Sequence, residues 1–181
     1  MTNQGTILYS GGLKGSESVF GECAAEFGLD EVNFTFDGHN PFRTQNQTLL
    51  SDAELEKGNI SMEIVSERMG RRYAKAERIR KVFQLIFHMV IKGYQVFAIG
   101  WIQEDGTVKG GTGWGVELAK FFNRPVSVFD QEKNAWFSWE MNQWKEDEPT
   151  ICHDTFCGTG TRNLTADGDK AIRDLFARSF K

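Results

Sequence analysis

Apolar residues change their spacing along this chain in a recurring order. A dense or alternating run comes first, then glycine, then a segment with apolar positions three and four apart. Dense or alternating runs predict strands, and the wider spacing predicts helices. Residues 6–10 read as a first strand, and Gly11-Gly12 turns it into a helix over about 16–27. In that helix Val19, Phe20, Cys23, Ala24 and Phe27 share a face, and Gly28 is placed to cap it. Residues 32–36 alternate as a second strand, and 37–41 read as a loop. Ser51-Asp52-Ala53-Glu54 has the form of a capping box, and 59–69 reads as a short helix. Residues 74–91 predict a long amphipathic helix with Ile79, Val82, Phe83, Ile86, Phe87 and Val90 inward. A buried strand over 95–102, a turn at Glu104-Asp105-Gly106, a helix ending near Asn123-Arg124 and a strand over 125–130 make a βαβ unit. The aromatic segment 133–144 reads as an edge strand or hairpin. Trp136, Phe137, Trp139 and Trp144 in it are expected in the core, with a dimer surface or base-stacking wall as the alternative. A last strand, a loop and a helix over about 167–180 follow. This order predicts one α/β domain over residues 1–181. Its sheet is Rossmann-like and mainly parallel, with about five to seven strands and helices on both faces.

Glycine runs stand between three of the strands and their helices. They are Ser10-Gly11-Gly12-Leu13-Lys14-Gly15-Ser16-Glu17, Val108-Lys109-Gly110-Gly111-Thr112-Gly113-Trp114-Gly115-Val116-Glu117, and Gly158-Thr159-Gly160-Thr161-Arg162-Asn163. A glycine lets a phosphate approach the backbone, and a helix start presents free N–H groups to it. Such loops converge at the carboxyl edge of an open parallel sheet. Glu117 falls in a first helical turn, where it caps the helix or reaches a sugar hydroxyl. Gly70-Arg71-Arg72 is either a phosphate clamp or an ordinary solvated corner, the commoner outcome for such a pair. His39 reads as a surface loop histidine, with a pocket wall or general acid/base as the alternative.

Charge and composition narrow the field. The net charge of −4 argues against a duplex-binding protein, which is usually basic. Cys23, Cys152 and Cys157 make no disulfide framework and read as reduced thiols. The Cys152-His153 pair with Cys157 fits no common zinc spacing, so no metal site and no cofactor are expected. No segment is long and apolar enough to span a membrane, and Met1-Thr2-Asn3-Gln4-Gly5 lacks signal-peptide character, so a cytoplasmic protein is expected.

At the three glycine runs the chain resembles the SLOG superfamily, which includes DNA-processing protein A and the LOG-type (lysine-decarboxylase-like) proteins. The run from Ser10 to Glu17 resembles the family's S/T-G-G-A-x-G-A-D motif, with Leu13 and Glu17 as departures. The run from Gly110 to Glu117 resembles P-G-G-x-G-T-x-x-E, with Lys109 for the proline and Trp114 for the threonine. The run from Gly158 to Asn163 resembles the G-S-R segment that normally opens the fold. Here it lies last, so the chain is similar to a circularly permuted, phage-type member, and the resemblance covers nearly its whole length.

The resemblance implies a binding protein for a nucleotide-derived ligand, such as an ADP-ribose-type or cyclic-nucleotide signal. It would act as a phage sponge or sensor of a defence signal, in a host cytoplasm, and self-associate. In that reading the three loops hold phosphates, Arg162 with Lys14 or Arg71 supplies charge, Glu117 takes a ribose hydroxyl and Trp114 stacks on a base. The alternative implied is a LOG-type phosphoribohydrolase with Glu117 as its catalytic glutamate. Single-stranded DNA binding, as in DNA-processing protein A, is disfavoured by the acidic balance. Binding ranks above catalysis because no complete acid/base or nucleophile set is readable.

Overall fold

A computed structural model describes residues 5–180; the reading of Met1 to Gln4 lies outside the described residues. In chain order the elements are β1 (Ile7–Ser10), α1 (Ser16–Glu26), β2 (Asp30–Thr35), β3 (Gln47–Leu49), α2 (Asp52–Glu56), α3 (Asn59–Met69) and α4 (Glu77–Gly93). They continue with β4 (Gln95–Gly100), α5 (Thr112–Phe121), β5 (Val126–Asp130), β6 (Ala135–Glu140), β7 (Gln143–Asp147), β8 (Thr155–Gly160) and α6 (Ala166–Ser179). All eight strands form one sheet in the order β3-β2-β1-β8-β4-β5-β6-β7. The first six in that order run parallel, and β6 and β7 add an antiparallel hairpin. This is the expected α/β architecture, Rossmann-like, with helices on both faces.

The strand pleat feeds two cores. All six positions of β4 are buried. Val96 and Ala98 point into one core, Phe97 and Ile99 into the other, as alternation requires of a strand covered on both faces. On one face α1 and α6 bury Phe20, Ile172 and Phe176; on the other α2 to α5 bury Leu55, Met62, Met89 and Leu118. Ser51 and Glu54 complete the capping box that starts α2.

The structure corrects several details. The described residues form eight strands, one more than the expected upper count, because β3 is only three residues long and too short to carry an alternation. Of the two readings of the aromatic segment, the hairpin is the one observed, turned at Met141-Asn142, both at positive φ (50° and 61°) as a two-residue hairpin requires. Ile79 is 49% exposed and Phe87 only half-buried, because α4 begins at Glu77 and its inner stripe runs through Phe83, Leu85, Ile86, Met89 and Val90. Trp136 is buried, whereas Trp139 and Trp144 are half-buried and clasp the ammonium of Lys120. No helix among the described residues is long and apolar enough to cross a membrane.

Candidate functional site

Neighbouring strands β1, β8 and β4 end side by side, and each runs into one of the three glycine loops. From β1 the chain winds outward to β2 and β3, and from β4 it winds the other way to β5. That reversal leaves a crevice at the carboxyl edge, the usual ligand position in open α/β sheets. A cleft of about 420 Å³ fills it. Loop one contributes Leu13 and Glu17, loop two Lys109, Gly110, Gly111 and Thr112, and loop three Thr159 to Asn163. Val82 and Ile86 of α4 give the cleft an apolar wall, and Trp101 stands at its rim beside loop two. The volume is in the range that holds a small ligand.

Loop one is closed by the chain itself. The Glu17 carboxylate turns back into the loop, accepting from the Leu13 N–H (3.2 Å), the Gly11 N–H and the Thr159 hydroxyl (2.8 Å). Its burial pushes the carboxyl up, opposed by the hydrogen bonds from Thr159, Leu13 and Gly11 and by the charge of Arg162. A Cβ on Gly12 would collide with the Arg43 carbonyl, and one on Gly15 would lie 2.7 Å from the Arg162 backbone. The carbonyl of Gly12 accepts from the N–H groups of Phe42 and Arg43. The Ser16 N–H (3.1 Å) and hydroxyl (2.7 Å) both donate to the Thr161 carbonyl, tying loop one to loop three. Ser10 is wholly buried and donates to the Gly158 carbonyl. These residues build the cleft from behind; Ser10, Gly11, Gly12, Lys14, Ser16 and Gly158 are not on its lining.

Loop two is open. Gly110 adopts φ 70°, which favours glycine, but Gly111 has φ −61°, which any residue adopts. A Cβ built on either would meet nothing within 4 Å. The α5 N-terminus at Gly111 has no side-chain cap. Its first N–H groups and the positive end of its dipole therefore border the cleft.

The other residues singled out in the sequence lie elsewhere. Gly113 packs against the Val108 carbonyl. Trp114 is 4% exposed and stacks on Phe83, ring centroids 4.2 Å apart, so it belongs to the core rather than to a base-stacking wall. Glu117 lies in the second turn of α5, not the first, because the helix already begins at Thr112; it is buried beneath loop two and pairs with Arg68 (3.3 Å) and Lys120 (3.4 Å), away from the cleft. Burial pushes the Lys120 ammonium down, opposed by Glu117. Arg71 is a bracket: its guanidinium donates to the Gly110 and Val108 carbonyls, Gln103 and Thr107, holding loop two in shape from outside.

His39 is buried, not a surface histidine. The loop folds back so that its ring packs on Phe36, with centroids 4.8 Å apart and Nδ1 3.1 Å from the Thr35 hydroxyl. Burial, helped by the charges of Arg162 and Arg78, lowers its pKa to about 4. Trp101 and Lys109 are site residues that sequence reasoning missed. Their signal was position: both flank the turn between a strand's carboxyl end and the glycine run. Among the described residues no three His, Cys, Asp or Glu side chains gather as a metal site. No protein-family model, curated protein or solved structure matches this chain.

Proposed function

We propose that the cleft binds a nucleotide-derived anionic ligand, such as an ADP-ribose-type or cyclic-nucleotide signal. The observation that carries this reading is the open space over Gly111. Neither its φ nor any neighbour requires a glycine there, and the remaining physical use is close approach by a molecule from outside. The N–H groups of Gly113 and Trp114 turn back onto the Gly110 and Gly111 carbonyls, so a phosphate at the α5 N-terminus meets those of Gly111 and Thr112 and the helix dipole, with exposed Arg162 and Lys109 supplying charge. Trp101 offers the ring face for a base that the buried Trp114 does not. Binding is favoured over N-glycosidic cleavage because, among the described residues, the one acidic side chain on the lining is Glu17, and three donors lock it. Membership of the SLOG superfamily belongs to this proposal. It is supported by the three motifs and by the position of β8, last in sequence yet between β1 and β4, as a permuted first strand would be. A role as sponge or sensor of a defence signal, and self-association through exposed Phe42, Leu49 or Ile60, are its further parts.

Mass spectrometry of small molecules released from the purified protein, with a thermal-shift screen of nucleotides, tests the reading. An intact nucleotide at stoichiometric yield, or a shift lost in Arg162→Ala, is the expected result. No binding to any nucleotide overturns it, and a free base accumulating with time replaces it with the hydrolase.

A further inference from the structure

The two ends of the cleft differ in what they offer a ligand. At loop two there are donors: the α5 N-terminus, with nothing over Gly110 and Gly111, beside Lys109. At loop one the N–H groups of Gly11, Leu13 and Ser16 are already taken. A carboxylate has about four lone-pair sites. Gly11, Leu13 and Thr159 occupy three of those on Glu17, and Glu17 itself lines the cleft. Loop one therefore holds a built-in anion where a phosphate would otherwise sit, with acceptor capacity for one more donor.

We propose that Glu17 selects the ligand by its sugar, accepting a ribose hydroxyl at loop one and excluding phosphate from that loop, so that the ligand's phosphate lies against Gly111, Thr112 and Arg162. This rests on the proposed nucleotide reading and adds a direction and a substrate class to it: ribonucleotides, bound with one anionic end toward α5. The physical reasons are two. Like charges a few ångströms apart in a half-enclosed cleft repel, so a phosphate gains nothing at loop one. A hydroxyl donated to a carboxylate makes a charge-assisted hydrogen bond, stronger than one to a neutral group. Glu117, in the second turn of the helix after loop two, is withdrawn into its ion pairs and leaves that end free for the anion.

Isothermal titration of the wild-type chain with AMP, 2′-deoxy-AMP, 3′-deoxy-AMP and pyrophosphate tests the inference, alongside Glu17→Gln and Glu17→Ala. The expected result is that removing one of the two sugar hydroxyls weakens wild-type binding about tenfold or more. Glu17→Gln narrows that gap, and Glu17→Ala opens loop one and tightens pyrophosphate binding. Equal wild-type affinity for AMP and both deoxy forms overturns the inference while leaving the nucleotide reading intact. If no nucleotide binds, the nucleotide reading fails; unchanged pyrophosphate affinity in Glu17→Ala then overturns the inference on its own.

Discussion

Glu17 and Glu117 each follow a glycine run, the first in the opening turn of α1 and the second in the next turn of α5, and they end in opposite surroundings. Glu17 folds back over its own loop, caps two N–H groups and lines the cleft. Glu117 turns beneath its loop into a cluster with Arg68 and Lys120. The glycines differ in the same sense: those of loop one are covered by Arg43, Thr161 and Arg162, whereas Gly110 and Gly111 face open space. A shared motif thus serves chain packing in one copy and leaves room for a ligand in the other. What separates them is the neighbour each loop receives from distant sequence.

The strongest way to break this comparison is to put a Cβ on a covered glycine. Gly12→Ala places a methyl against the Arg43 carbonyl at φ 71°, and should cost about 4 kcal/mol or prevent folding, as read by urea denaturation. Next comes Glu117→Ala, which leaves the buried Lys120 without its carboxylate. It should cost about 3 kcal/mol while leaving ligand affinity within about twofold. If affinity collapses at unchanged stability, Glu117 works in the cleft and the contrast between the glutamates is wrong.

His39, buried in the loop segment whose Phe42 and Arg43 cover Gly12, sharpens the packing side of the comparison. Its folded pKa, near 4, lies below its ordinary value of about 6.5, so the unfolded chain binds its proton first as pH falls. Its contribution is complete above about pH 6.5 and is lost as pH drops to about 4, a change of about 3 kcal/mol. The stability difference between wild type and His39→Gln at pH 7 and pH 4.5 should show it; a flat difference removes the buried histidine from the account. The smallest stability effect is expected at Gly111. Gly111→Ala should change stability by about 1 kcal/mol or less yet weaken nucleotide binding at least about tenfold, because its methyl points where the ligand approaches. Retained affinity there means that the open glycines serve no ligand.

Much of this was legible in the sequence. β4 showed as a dense apolar run, α2 showed its capping box, and the three glycine runs predicted loops at one sheet edge. Glu117 reads as a first-turn residue because nothing local marks where α5 begins; the helix starts at Thr112, so Glu117 falls in its second turn, while Glu17 is the second residue of α1. Their directions are decided by Thr159 and Arg68, residues far away in the chain. Trp114 stood in the motif as a natural stacking ring, but the stack it makes is with Phe83 of α4, inside the protein. His39 followed a strand in a polar stretch, and nothing local announces that the loop folds over Phe36. The short β3 fell below any periodic signal because three residues hold barely one alternation.

The position of β8 bears on how the protein is made. It is the last of the described strands in chain order and an interior one, pairing Phe156 with Leu8 on one side and with Gln95 on the other. Until residues 155–160 have left the ribosome, the β1–β3 and β4–β7 segments have no common partner, and each presents an unpaired parallel edge. Sheet closure then requires contacts across some 148 positions of sequence, a topology that folds slowly. Chains stalled before β8 would lie open to proteolysis and misassembly, and the cleft would be completed only once β8 has emerged.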